Sequence, residues 1–193
     1  MSKNIKFILS VFLIINLTTI YSFASEPNLY AKGLQAEQIG DISLAVENYK
    51  KSATQGLSDS KFALGRLYRD TYNDAHKSFK WFLDAAEQGN SFAQYEVGII
   101  YSRGNSIITV NHKKAKKWLT LAVNCNKSKD AAYELFMIVS EEKKQSWLLK
   151  AAQYGSFDAM KKLSEAYQNG SYGLSIDDNK STYWRDEANK EEE

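Results

Sequence analysis

Two stretches of the sequence, SFKWFLDAAEQG at residues 78–89 and KQSWLLKAAQYG at residues 144–155, share a tryptophan, a pair of alanines and a glycine at the same spacing. Weaker copies surround Trp118 and Trp184, so that the four tryptophans lie 37, 29 and 37 residues apart. A repeated unit that cannot bury its apolar face alone must stack on neighbouring copies. The sequence therefore predicts a solenoid, an architecture that mostly serves to bind other macromolecules.

Each repeated unit is predicted to be a pair of antiparallel helices. In the copy at residues 91–126, Val97 and Tyr101 lie one turn apart on a first helix, and Trp118 and Ala122 do the same on a second helix. The repeats differ in length only between the two helices, where a solenoid tolerates variation. Counting an incomplete first unit, the predicted fold is all-α, a right-handed α-solenoid of about five antiparallel helix pairs.

Small residues at fixed positions predict where the two helices of a pair meet. Glycine inside a helix costs about 1 kcal/mol relative to alanine, so Gly98 needs a structural reason. We expect the second helix to approach closely there, backbone against backbone. Phe136 holds the same position in the fourth pair, which predicts that this pair is splayed or shifted. The loop of that pair is reduced to a tight turn around residues 140–143.

These residues resemble the Sel-one-like repeat, a relative of the tetratricopeptide repeat. The clearest copy contains Gly173, Asp177, Lys180 and Trp184 in the family's order and spacing. The resemblance covers roughly residues 28–190 and implies a superhelix whose first helices line a concave side. The same order of residues recurs at Asn111, Lys114 and Trp118, and again at Asp74, Lys77 and Trp81.

The N-terminal residues are typical of an export signal. Lysines precede an uncharged apolar stretch at residues 7–20, and Ser22 and Ala24 supply the small residues before a cleavage point. We predict a signal peptide at residues 1–24 and a repeat domain at residues 25–193, in a periplasmic or secreted bacterial protein. An uncleaved membrane anchor is the alternative, although the apolar run is barely long enough to span a bilayer.

Charge and cysteine content exclude several classes of partner. Removing residues 1–24 takes away two lysines and leaves equal numbers of basic and acidic side chains. A nucleic-acid-binding protein needs a basic face, so we expect no nucleic acid, and no membrane partner after signal cleavage. Cys125 is the only cysteine, and the protein must be stable without an intramolecular disulfide. We expect a partly buried thiol there, in a monomer, with intermolecular pairing or a reactive thiol as the alternative.

Catalytic and metal-binding constellations do not stand out in the sequence. We find no serine nucleophile elbow, no phosphate-cradling glycine loop and no paired metal ligands. His76 and His112 lie at the start of second helices in different units, which predicts exposed side chains that cannot share a metal. We therefore predict no enzyme, no cofactor and no metal site, with an envelope hydrolase as the alternative.

A binding surface is predicted along the first helices. Positions one turn before the small residue, and just after it, face away from the helix pair and would line the concave groove. Aromatic side chains beside charged ones are typical of an interface core and its rim. Alternatively, Tyr95 and Tyr133 pack between neighbouring repeats. The predicted partner-binding residues are Phe62, Arg66, Tyr95, Ile99, Tyr133 and Met137.

Two other stretches are candidate contact points. The basic run at residues 112–117 is either a solvated face or a docking patch for an acidic partner. The loop with Ile107, Ile108 and Val110 is unusually apolar. We expect one of these residues to pack in the family's valine position, and any isoleucine left exposed would mark a contact point.

Together these features predict a non-enzymatic, exported protein–protein interaction module, either an adaptor or a secreted factor. It would bind one protein partner on its concave face. The alternative is an immunity protein that neutralises a toxin, such as a secreted lipase, in the periplasm. A preformed groove suits inhibition because little conformational entropy is lost on binding.

Overall fold

The computed structural model describes residues 28–190, and the predicted signal peptide at residues 1–24 lies outside them. The described residues form ten α-helices, with one short 3-10 turn at Ser171–Gly173 before the last. The helices are α1 (Leu29–Gln38), α2 (Ile42–Thr54), α3 (Ser58–Asp70), α4 (Ala75–Glu87), α5 (Ser91–Arg103), α6 (His112–Asn126), α7 (Lys129–Ile138), α8 (Glu141–Gln153), α9 (Phe157–Asn169) and α10 (Asp178–Lys190).

The chain divides into two compact units, one ending at Gln55 and the other beginning at Gly56. The first contains the pair α1/α2. The second contains the pairs α3/α4, α5/α6, α7/α8 and α9/α10, and each pair also packs on the next. The predicted all-helical fold of repeated helix pairs is confirmed.

The first unit is organised around Tyr49, whose side chain is fully buried. A Cβ atom added to Gly33 of α1 would lie 2.4 Å from the Tyr49 ring, so only glycine leaves room for it. The ring of Tyr30 lies 5.7 Å away, centroid to centroid. The Tyr49 hydroxyl donates a 2.5 Å hydrogen bond to Oε2 of Glu37, which supplies the polar partner that a buried phenol needs.

The second unit repeats the same fit between a glycine and a bulky side chain. A Cβ atom on Gly65 would lie 2.4 Å from the ring of Phe82, and one on Gly98 would lie 2.7 Å from the Leu119 side chain. The bulky residue is the one that follows the tryptophan of the second helix. The expected close approach at Gly98 is therefore real, but a buried side chain fills most of the space that we assigned to the backbone.

The pair α7/α8 accommodates Phe136 within its core. Phe136 is 3% exposed, and its ring stacks on Tyr133 with centroids 5.6 Å apart. The ring of Tyr172, from the 3-10 turn before α10, meets Phe136 edge-on at 5.2 Å. Helix α8 begins at Glu141, so the turn is shorter than the predicted loop.

A recurring junction fixes the start of the second helices α4 and α10. The backbone N–H of Asp74 donates to the Tyr68 carbonyl (2.8 Å), and Asp74 Oδ1 accepts from the backbone N–H of Lys77 (2.9 Å). Nζ of Lys77 then lies 2.9 Å from Asp74 Oδ2 and 5.3 Å from the centre of the Tyr68 ring. The junction thus joins the end of one helix to the start of the next. The same contacts recur at Tyr167, Asp177 and Lys180.

The predicted partial burial of Cys125 is wrong. Cys125 is exposed, because it lies in the last turn of α6, beyond Ala122 and Val123, which are the last buried residues of that helix. In the loop before α6, both isoleucines are half-buried and Val110 is the exposed residue.

Candidate functional site

The residues predicted to line the groove all lie in the second unit, on its first helices. Met137 is 58% exposed, and the other five are half-buried. The residues are Phe62 and Arg66 on α3, Tyr95 and Ile99 on α5, and Tyr133 and Met137 on α7.

Direct contacts hold α3, α5 and α7 side by side. The ring of Phe62 on α3 lies 5.8 Å from the ring of Phe92 on α5. Nη1 of Arg69 on α3 lies 2.7 Å from Oε2 of Glu96 on α5. Arg103, in the last turn of α5, forms an ion pair with Glu134 of α7. Side chains on these three helices therefore contribute to one surface.

Tyr95 and Tyr133 each contribute both to the packed core and to the exposed surface. Tyr95, Ile99 and Tyr133 pack against the buried core of the pairs α5/α6 to α9/α10, yet each keeps part of its side chain exposed. The alternative that the tyrosines pack between repeats is therefore correct for part of each ring. The remaining exposed part is available to a partner.

Burial and nearby carboxylates keep these phenols protonated. Burial raises the pKa of Tyr95 to about 12, with further contributions from the carboxylates of Asp130 and Glu134. Burial also raises the pKa of Tyr133, and the carboxylate of Asp158 adds to the effect. Asp130 and Asp158 lie in the first turns of α7 and α9, so each tyrosine faces an acidic residue of the next first helix. The surface presents neutral phenols bordered by negative charge.

Sequence reasoning missed Phe92, the first-helix residue with the most exposed aromatic side chain. Phe92 is 63% exposed and contacts the ring of Phe62. The equivalent position in the other units of this part of the chain is acidic, as Asp59, Asp130 and Asp158 show. An aromatic ring where the repeat otherwise has a carboxylate was the signal that could have identified it. We refer below to the first-helix surface, defined as Phe62, Phe92, Tyr95, Ile99, Tyr133 and Met137.

Residues 28–190 contain neither a metal-binding cluster nor a membrane-spanning helix. Within that range, no three His, Cys, Asp or Glu side chains lie close enough to hold a metal ion. His76 and His112 are exposed at the starts of α4 and α6, as predicted. None of the described helices is long and apolar enough to cross a bilayer.

A family model described as the Sel1 repeat matches residues 24–57, 58–90, 91–127 and 157–184. These matches cover well over half of the chain. The unmatched segment holds the pair α7/α8, in which Phe136 replaces the glycine and Val139 replaces the tyrosine of the junction. The two residues that depart from the repeat, Phe136 and Val139, therefore lie in the segment that the family model does not match.

Solved structures of bacterial proteins share the fold. A Sel1 repeat protein from Oxalobacter formigenes is 24% identical, with a TM-score of 0.73 over 84% of this chain and 72% of that one. A protective antigen of uropathogenic Escherichia coli, described as displaying an SLR fold, is 28% identical, with a TM-score of 0.67 over 77% of this chain. The match covers 33% of that antigen, so the chain spans about a third of its length. With four matched repeats and this architecture, the chain belongs to the Sel1 repeat family, whose members generally mediate protein–protein interactions.

Proposed function

We propose that this protein is a non-enzymatic, exported interaction module that binds one protein partner through the first-helix surface. The observation that supports the proposal is the row of apolar side chains across α3, α5 and α7. Two of them, Phe92 and Met137, are mostly exposed, although aromatic and methionine side chains favour burial. A binding partner would remove this apolar area from water.

The composition of the surface matches that of a protein interface. Aromatic and methionine side chains are enriched at the centre of interfaces, where a few residues supply most of the binding free energy. Half-buried Tyr95 and Tyr133 are already fixed by packing, so they lose little conformational entropy on binding. Charged Arg66 on α3 and Asp130 on α7 lie on the helices of the apolar row, and Asp158 lies on the next first helix, α9; these residues would form a polar rim.

Export belongs to the same proposal. With residues 1–24 acting as a signal peptide, the partner would be a protein of the periplasm or of the surroundings of the cell. We propose an adaptor or a secreted factor in preference to an enzyme, because the apolar row supplies binding area and no reacting group.

The proposal is tested by capture of proteins from periplasmic extract on the immobilised mature chain. The double variant Phe92→Ser/Met137→Ser removes exposed apolar side chains without touching a buried one. It should reduce capture of the partner by at least about tenfold, since anchor residues at an interface centre contribute 2 kcal/mol or more. The captured protein is then identified by mass spectrometry, and inhibition of a captured toxin would establish the immunity function.

The matched control is the double variant Ile176→Ser/Tyr183→Ser. It removes two apolar side chains of the last helix pair that are also mostly exposed. Circular dichroism should show both double variants folded. Equal capture by the wild type and Phe92→Ser/Met137→Ser would show that the partner does not bind the first-helix surface.

A further inference from the structure

Helix α6 has a charge pattern unlike that of the other second helices in its unit. Its sequence HKKAKKWLTLAVNCN contains four lysines and no carboxylate. Two of the lysines fall in the first turn, where the partial positive charge of the helix N-terminus disfavours cations by a few tenths of a kcal/mol or more each. These two lysines therefore do not stabilise the helix on which they lie.

Two other second helices of the same unit show how this charge is balanced. Asp74 pairs with Lys77 at the start of α4, and Asp177 pairs with Lys180 at the start of α10. In α6 the capping residue is Asn111, which accepts the same backbone hydrogen bond from Lys114 at 3.0 Å but carries no charge. Within residues 28–190, no lysine of α6 forms an ion pair.

Two of these unpaired cations are held in place by aromatic rings. Nζ of Lys114 lies 4.9 Å from the centre of the Tyr101 ring, and Nζ of Lys117 lies 5.1 Å from the centre of the Trp118 ring. Such cation–π contacts restrain a long side chain without neutralising its charge. The ammonium groups are thus positioned before any anion arrives, which lowers the entropy lost on binding.

Apolar side chains lie beside the cations. Lys113, Lys117 and Leu121 follow one another at i, i+4 spacing and share one outer stripe of α6. Leu121 is 36% exposed, and Val110, just before the capping Asn111, is 54% exposed. A partner that met this stripe would encounter ammonium groups with an aliphatic contact on either side.

We propose that the outer face of α6 is a second docking surface, separate from the first-helix surface, for an acidic protein segment that carries an aliphatic side chain beside its carboxylates. The charge argues for such a segment because the lysines have lost the carboxylate that balances them in the neighbouring repeats. A protein segment is favoured over an anionic membrane because the four lysines are confined to the first two turns of one helix, whereas the rest of the mature chain has no excess of positive charge.

The sharpest test restores the missing carboxylate. In Asn111→Asp every lysine is retained and the helix cap is kept, since Asp and Asn cap helices equally well. The new carboxylate should pair with Lys114 as Asp74 pairs with Lys77. The probe is a fluorescein-labelled peptide of repeated Glu-Glu-Leu, and its binding to the mature chain is followed by fluorescence anisotropy. We expect Asn111→Asp to weaken binding about threefold, and Lys113→Gln/Lys117→Gln about fivefold or more.

The control variant Lys143→Gln/Lys150→Gln removes the same charge from exposed positions of α8, and it should change binding less than about twofold. Phe92→Ser/Met137→Ser should leave peptide binding unchanged, which separates this surface from that of the proposed function. A fluorophore on the exposed Cys125, one turn beyond Leu121, should report peptide binding directly.

Three results would overturn the proposal. Equal weakening by the α8 control would show a general effect of net charge. Unchanged binding in Asn111→Asp and in Lys113→Gln/Lys117→Gln would place the peptide elsewhere. Binding of the chain to phosphatidylglycerol vesicles without binding of the peptide would identify α6 as a membrane-contact face.

Discussion

Three glycines determine how closely the two helices of a pair can approach. Gly33, Gly65 and Gly98 each face a bulky, buried side chain of the second helix, at distances that leave no room for a methyl group. The helical penalty of about 1 kcal/mol for each glycine is thus offset by the burial of a large side chain. Because the facing side chain differs, we expect substitution of these three glycines to lower the free energy of unfolding by different amounts.

We expect Gly65→Ala to lower the free energy of unfolding by about 1–3 kcal/mol, even though alanine is the better helix former. The added methyl group would meet the rigid ring of Phe82, including its Cγ atom at 2.9 Å. Gly98→Ala should cost less, because it meets the more flexible side chain of Leu119. Urea denaturation of both variants measures the difference.

Phe82→Leu should relieve the strain in Gly65→Ala. The double variant is expected to be more stable than the sum of the two single effects, since the two residues are in direct contact. Additive effects, or a Gly65→Ala variant as stable as the wild type, would mean that the ring does not limit the approach of α3 and α4.

Individual residues also show what the sequence could predict. The glycine positions, and the location of the six predicted binding residues on first helices, follow from spacing, because a repeat places equivalent residues on equivalent faces. The exposure of Cys125 does not follow from spacing. It depends on where the neighbouring helix ends and on which side chain lies opposite, and periodicity carries neither kind of information.

At the scale of helices, the junction of tyrosine, capping aspartate and lysine connects the two helices of a pair. It is the same after the shorter loop before α4 and the longer loop before α10, although the loops differ in length and sequence. The junction therefore fixes where the second helix starts and lets the intervening loop vary. That is the physical reason for the aspartate and lysine in the repeat motif.

We predict that Asp74→Asn/Asp177→Asn lowers the melting temperature at pH 7 and that this difference disappears in acid. Hydrogen bonds from the Lys77 and Lys180 backbone N–H groups, and then their side chains, hold the pKa of each carboxyl below the ordinary value of 3.8. With a lowered pKa in the folded state, the stabilisation is complete above the unfolded pKa and is lost as the pH falls through the folded pKa.

The measurement is a series of thermal unfolding curves from pH 7 to below pH 3, followed by circular dichroism. Asparagine keeps the capping hydrogen bond, as Asn111 shows, so the variant reports the charge alone. The control is Asp84→Asn, which removes a carboxylate of α4 that takes no part in the junction. If the melting temperatures of the wild type and the double variant still differ at the lowest pH, capping geometry, and not charge, accounts for the effect.

The pair α7/α8 shows the limit of repeat-based prediction for a whole element. The sequence indicated a misfit at Phe136 but not its solution, which comes from Tyr172 in a loop more than thirty residues later. Tyr172 adopts a left-handed backbone conformation with φ of 57°, which is uncommon for an aromatic residue. Only the structure reveals a contact made by a residue that stands outside the repeat pattern.

At the scale of the whole molecule, the last helix differs from the other second helices in its polarity. The position that holds fully buried Phe82, Leu119 and Leu148 in the preceding pairs is occupied in α10 by exposed Arg185. Asn189 likewise is exposed where the earlier helices bury small apolar residues. Helix α10 therefore presents polar side chains where α4, α6 and α8 present apolar ones.

The predicted signal peptide determines where the exported chain begins. If residues 1–24 are a signal peptide, protein recovered from the periplasm or the medium should begin at Ser25, because Ser22 and Ala24 are the small residues that signal peptidase requires. Mass spectrometry of the intact protein measures this directly. Ala24→Lys should block cleavage while leaving the apolar stretch able to direct export, so the uncleaved chain should collect in the membrane fraction. Ala31→Lys, at an exposed position of α1, is the control and should be processed normally. Wild-type protein that retains Met1 in washed membranes would establish the anchor instead, and the partner would then have to be sought at the membrane surface.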